Sequence, residues 1–419
     1  MKSASSGTQK PMGEAPYYIK ALAMALPATM FGWQIAGWIF FLPAAMQGRA
    51  DFRQVYTAGY MLRTGHSQEL YDNAAQKRFQ DAMVSREEVA LPFIRPAYQA
   101  LLFTPFSLIS YRTAYFSFLA VNLALISVSF FMLRPLLTNL AAIWNLLPLA
   151  MFISFIPTGV ALMQGQDSIL LLLLFSATLL SLERDSEFVA GVLSGVALFK
   201  FQIAIPVAIL FFCWKRWRFF GGFCVTGAAL ALLSAWITGL AQAKTYFHLL
   251  FSMGTGLGSE PSQLPSVSLK KMMNLHGLTY GITEGHIGLR STTVLTLILS
   301  MVFLLWVAFA GFRLRRDDQF KVAIASAVVV SYYMFVHDLV ILLIPLSLIL
   351  NEMIAFRGIK NWPAALAAIL FLAPAFVSSA YLFSIPLCLF VFLWLKNAPT
   401  PCDSAARGQI SQDSIPSQI

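Results

Sequence analysis

The sequence predicts an all-α polytopic membrane protein with about twelve transmembrane helices, and three observations carry that prediction. Runs of roughly 18 or more nearly uncharged residues, the length that crosses a ~30 Å hydrocarbon core, recur between Tyr18 and Trp394. Of the 419 residues, 58% are hydrophobic and 11% charged, with a mean hydropathy of +0.70, too little polar material for a water-solvated surface. The basic residues stand at the ends of the apolar runs, as the positive-inside rule expects. A net charge of +10 therefore does not point to nucleic acid, which would be met by basic residues clustered with aromatics. Cys213, Cys224, Cys388 and Cys402 have no metal-ligand spacing and predict neither a zinc site nor a disulfide framework.

The elements follow in order. The run 19–46 is too long for a signal peptide and has no convincing small-residue cleavage site, so it is read as the first span. A polar first loop, 47–111, interrupts the pattern. Within it Asp51 is placed to cap a helix whose apolar stripe is Phe52, Val55, Tyr56, Gly59 and Tyr60. That helix should lie along the membrane interface with its tyrosines at headgroup depth. A second short helix is expected at 73–85, after which "LPFIRPAYQALLFTPFSLIS" returns toward the membrane. Further spans are expected at 112–133, 141–162, 168–183, 188–199, 203–214, 219–239, 291–312, 320–336, 339–355, 362–380 and 383–396.

Two divisions carry that count. Phe188 to Trp214 could be one span, but Lys200 stands at its middle, and a lipid-facing charge there costs on the order of 3 kcal/mol. Two short helices meeting at the outer face avoid this. His337 and Asp338 likewise divide a long apolar stretch. With a cytoplasmic N-terminus, Arg134, Arg184, Lys215 to Arg218, Arg313 to Arg316, Arg357, Lys360 and Lys396 all fall inside. The chain is then one transmembrane domain, 1–396, with extracytoplasmic loops at 47–111 and 240–290. The Ser/Gln-rich tail 397–419 is expected to be cytoplasmic and disordered.

This topology places the chemically capable residues on one face. Asp51 is the acid at the exit of the first span, either a base or a plain helix cap. Lys200, between two apolar helices, calls for an anion such as a phosphate, or snorkels to the interface. His337 and Asp338 are either functional or a structural turn. Arg95, Gln166 and Asp167, with Tyr56 on the loop helix, are weaker candidates for binding a ligand. Gly254, Gly256 and Gly258 read as a loop rather than a phosphate cradle. Asp51, Asp167 and Asp338 could offer oxygen ligands, but no spacing argues for a dedicated metal ion.

Five segments occur in a telling order: "DFRQVYTAGYMLRTGHSQELYD", "FIRPAYQALLFTPFSLISYRTAYFSFLAVNLALI", "GQDSILLLLL", "AGVLSGVALFKFQIAIPVAIL" followed by "KRWR", and "HDLVILLIPL". From about Asp51 to Leu350 the chain resembles glycosyltransferase family 87, membrane enzymes of the GT-C class that include polyprenyl-phosphate-mannose-dependent mannosyltransferases of glycolipid synthesis. It departs from the family pattern at Pro96-Ala97, where two prolines are frequent, and at Ser168, where Asn is frequent. His337 also adjoins Asp338, where a Pro-His pair commonly precedes the late Asp by several residues.

The resemblance implies a GT-C bundle in a bacterial plasma membrane, with its active site on the periplasmic or extracellular face. The expected donor is a polyprenyl-phosphate sugar, mannose first, and the acceptor a lipid or glycan hydroxyl. Asp51 would be the general base, Lys200 and His337 would bind the donor phosphate, and Arg95, Gln166, Asp167, Asp338 and Tyr56 would contact donor or acceptor. No cofactor is implied. The residues agree with this: no Gly-rich phosphate loop or nucleotide fingerprint appears, and a transferase facing away from the cytosol needs its activated sugar delivered by lipid. The alternatives are a lipid-linked sugar transporter or flippase, against which the sequence shows no inverted repeat, and a polysaccharide polymerase.

Overall fold

The computed structural model describes residues 17–88, 90–255, 269–355, 362–375 and 379–397. Apart from Asn397, the expected tail lies outside the described residues, as do Gly256 and Gly258. Every regular element among the described residues is helical.

Helix α1 (Tyr17–Ala44) is apolar throughout and exposes Leu22, Phe31, Trp33, Ile39 and Phe40, the mark of a helix solvated by lipid. It breaks at Gly48, whose φ is 88°, and at the extended Ala50. The first loop then folds as α2 (Phe52–Arg63), α3 (Asn73–Met83) and α4 (Ala97–Phe103), followed by α5 (Tyr111–Leu133). Phe52 sits at the centre of an aromatic cluster, its ring within 6.3 Å of Tyr56, Phe103, Phe106, Tyr111, Tyr115 and Phe118.

That cluster covers the stripe of the helix expected to lie along the interface. The apolar stripe of α2 is buried against α4 and α5, and the Tyr56 hydroxyl donates to the Ile109 carbonyl at 2.9 Å. The residues 103–118 supply enough aromatic surface to cover the stripe with protein, so it needs no lipid. The buried Arg53 ties α2 to α3, donating to Gln80 Oε1 at 3.1 Å and to the Ser85 carbonyl at 2.7 Å. Asp51 is not a helix cap. Its backbone is already helical and its side chain makes no capping bond. Asp72 does cap, accepting from the Ala74 and Ala75 amides to start α3.

The chain continues through α6 (Thr138–Ile143), α7 (Leu147–Ser154), α8 (Ile156–Gln164), α9 (Ser168–Glu183) and α10 (Glu187–Val196). A 3₁₀ turn, Ala197–Lys200, leads into α11 (Phe201–Cys213), and α12 (Trp217–Thr238) follows. The division expected at Lys200 is real. A straight helix from Glu187 to Arg216 would be about 43 Å long, yet Arg216 Nη1 lies 3.5 Å from Glu187 Oε1. The chain therefore folds back at Lys200, and α12 runs parallel to α10. Gly191 packs on the Phe219 carbonyl and Gly222 on the Phe188 carbonyl, contacts so close that a Cβ would lie 1.9 and 2.2 Å from those oxygens.

The second loop is largely helical where described, with α13 (Leu240–Thr255) and α14 (Leu275–Thr283); Gly254 lies in α13 rather than in a loop. The bundle closes with α15 (Leu289–Ala310), α16 (Arg316–Val330), a 3₁₀ stretch at Val336–Leu342, α17 (Leu343–Ala355), α18 (Trp362–Leu372) and α19 (Ser384–Asn397).

Helices thus occupy all twelve expected positions. Among the described residues, five helical stretches are long and apolar enough to cross a membrane, six if α7 and α8, bent by 50°, form one span; one of the five, Glu187–Cys213, is the stretch that folds back at Lys200. The helices α9 and α16 to α19 are shorter, and α16 is buried by protein over residues 319–329. The polar residues gather at two ends. Ser168, Lys200 and Asp338 meet at one. At the other, Arg316 Nε lies 2.8 Å from Glu187 and Arg216 Nε donates to Gln319 at 2.9 Å.

Candidate active site

A cavity of about 830 Å³ opens at the end where α1 gives way to α2, and Asp51, Arg95, Gln166, Lys200, His337 and Asp338 line it. Six residues separated by up to 287 positions in the sequence are thus brought to one wall. Asp167 lies just behind that wall, buried, and Tyr56 is outside it in the aromatic cluster.

The turn after α8 organises the wall. Gly165 takes the left-handed conformation, φ 61°, and the Gln166 amide donates back to the Ala161 carbonyl at 2.9 Å, ending the helix in a Schellman turn. A Cβ at Gly165 would lie 2.7 Å from Phe52 Cβ. Only glycine meets both demands, the positive φ and the close approach to the residue beside Asp51. Asn122 Nδ2 holds the Gln166 carbonyl at 3.2 Å, and the Asp51 amide donates to Gln164 Oε1 at 3.1 Å.

Gln166 is the link between cations and base. Its Oε1 accepts from Arg95 Nη2 at 2.9 Å and faces Lys200 Nζ at 3.5 Å, so its amide nitrogen must point the other way, where it donates to Asp51 Oδ2 at 2.5 Å. Arg95 and Gln99 both donate to Asp167 Oδ2. Lys200 Nζ bridges Asp167 Oδ1 at 3.3 Å and Asp338 Oδ1 at 2.8 Å, and Ser168 Oγ donates to the same Asp338 oxygen at 2.7 Å. The anion that Lys200 requires is therefore supplied within the chain.

Asp338 and His337 lie in the connection between α16 and α17. Burial alone would raise the Asp338 carboxyl, but the Lys200 ammonium and His337 outweigh it and hold it below the ordinary carboxylate range. Burial draws the His337 imidazole below its usual value against the pull of Asp338, whose Oδ2 is 3.5 Å from Nε2. Among the described residues no three of His, Cys, Asp and Glu converge as a metal site; Asp167 and Asp338 are engaged by cations instead.

The arrangement is thus one carboxylate facing a roomy cavity, oriented by a single amide, beside buried cations already paired. A family model, glycosyltransferase family 87, matches residues 93–337, more than half of the sequence. The chain belongs to glycosyltransferase family 87. The matched range is narrower than the resemblance expected from the sequence, covering Arg95, Gln166, Asp167, Lys200 and His337 but not Asp51 or Asp338. No curated protein and no solved structure matches the chain. As a membrane glycosyltransferase it must accommodate a sugar donor and an acceptor, and the cavity has the volume typical of small-molecule sites.

Sequence reasoning missed two contributors to this family 87 site. Gln164, which positions the Asp51 backbone, was visible only as one of two glutamines flanking Gly165. Lys271 lines the cavity from the second loop, and nothing in "LKKMMN" separates it from an ordinary surface lysine.

Proposed function

We propose that the protein transfers a sugar, mannose first, from a polyprenyl-phosphate donor to a lipid or glycan hydroxyl at the extracytoplasmic face of a bacterial plasma membrane. The observation that carries this reading is the carboxylate of Asp51, which faces an 830 Å³ cavity at the end of a lipid-exposed helix, with its free oxygen available to a ligand. Asp51 takes the proton from the acceptor hydroxyl as its oxygen bonds to the anomeric carbon; the bond from that carbon to the phosphate oxygen breaks, and the electron pair leaves on the lipid phosphate. Gln166 keeps Asp51 in place and donates to the ionised form. Lys200 holds Asp338 and Asp167 in the wall, and Arg95 braces Asp167 and Gln166.

Protein purified into nanodiscs should form a glycosidic bond from a synthetic polyprenyl-phosphate mannose and need no nucleotide sugar. Movement of the lipid-linked sugar across proteoliposomes with no new bond would make the protein a transporter and end this reading.

The membrane arrangement proposed is twelve crossings, with α9, α10, α11 and α16 to α19 each shorter than a perpendicular span, and with the cavity outside. A reporter fused after Gly285, an exposed turn residue, should be extracytoplasmic and one fused after Arg315 cytoplasmic. Reporters on the same side would separate the cavity from the face where a lipid-linked donor is presented.

A further inference from the structure

A lipid phosphate needs a cation for its head and an apolar track for its tail, and the wall described above leaves both unassigned. Around Gln166, three carboxylates (Asp51, Asp167 and Asp338) face two cations, Arg95 and Lys200, which are engaged with Asp167 and Asp338. With His337 neutral this cluster is net negative before any donor enters, so a phosphate placed there would add repulsion. Lys271 lines the same cavity, is exposed, and makes no ion pair among the described residues.

A second feature, independent of charge, adjoins it. A groove of about 260 Å³ runs between α11 and α15, lined by Pro206, Ile209 and Cys213 on one side and Leu297, Met301 and Leu305 on the other. Its lining carries no charged residue. Leu297 lines both this groove and the main cavity, so the two spaces adjoin. Leu297, Met301 and Leu305 fall at four-residue intervals on one face of α15, a track of about 12 Å, and all three are exposed.

We propose that the cavity and groove form one site for an isoprenyl phosphate, with Lys271 pairing the phosphate and the α11–α15 groove taking the first isoprene units. This rests on the lipid-phosphate reading of the cavity and names where that lipid sits. Continuity with the cavity is what distinguishes the groove from the rest of the lipid-exposed surface: a chain in it can leave its phosphate beside the sugar-transfer wall.

The test is direct binding, read by thermal stabilisation in detergent, of a long isoprenyl phosphate (undecaprenyl phosphate) and a short one (geranyl phosphate). Lys271→Met should weaken both by about tenfold, the loss of one charge-assisted contact, and Lys271→Arg should restore both. Ser300→Trp, which fills the groove from its α15 side, should weaken the long chain by about tenfold and leave the short one unchanged. Unligated melting of each variant near that of wild type excludes misfolding. Wild-type binding of both ligands by Lys271→Met, or of the long chain by Ser300→Trp, would overturn the assignment. If the binding pattern holds while the wild type transfers no sugar, the site stands and the catalytic reading falls.

Discussion

Lys200→Met should destabilise the protein by about 3–5 kcal/mol, enough to show as a large fall in the thermal midpoint in detergent. Lys200 Nζ is the shared partner of two buried carboxylates, 2.8 Å from Asp338 and 3.3 Å from Asp167. Asp167 would keep Arg95 and Gln99. Asp338 would keep only the Ser168 hydroxyl and a His337 nitrogen at 3.5 Å, leaving a charge uncompensated in a site it shares with almost no solvent. The effect should be conditional on that charge. Asp338→Asn in the Lys200→Met background removes it while keeping an acceptor for Ser168, and should recover most of the lost stability. A Lys200→Met protein that melts like wild type but binds donor poorly would mean that the lysine serves the ligand alone, as the sequence first suggested.

The helix positions were legible because the apolar periodicity and the placement of basic residues report burial and sidedness directly. The fold-back at Lys200 was legible for an energetic reason, since a charge in mid-span is too costly to leave there. What the sequence could not supply was partners. Lys200 called for an anion, but nothing local says whether that anion is a ligand's phosphate or Asp338, 138 residues away. Asp51 before an apolar stripe looks the same whether it caps α2 or turns away to Gln166. Tyr56 sits on a face that would suit a membrane interface equally well until the aromatics of residues 103–118 are seen to cover it. The role of Gln166 was invisible for the same reason: its amide direction is fixed by two cations from distant elements, α4's approach and the Lys200 turn.

Asp51 is the residue on which the account turns. Asp51→Asn preserves shape, and its amide oxygen can still accept from Gln166, so the aromatic cluster under Phe52 and the turn at Gly165 should be undisturbed. Basicity is lost. Turnover should therefore fall by roughly 100-fold or more with folding and donor binding close to wild type, because among the described residues lining the cavity no other carboxylate is unpaired to receive the acceptor proton. Asp338, the other acid on the wall, is occupied by Lys200 and Ser168. The decisive measurement is the rate of glycosidic bond formation from a polyprenyl-phosphate sugar by wild-type and Asp51→Asn protein, side by side in nanodiscs. A loss of at least about 100-fold at equal donor occupancy is the outcome predicted here; wild-type turnover by a well-folded Asp51→Asn protein would contradict it.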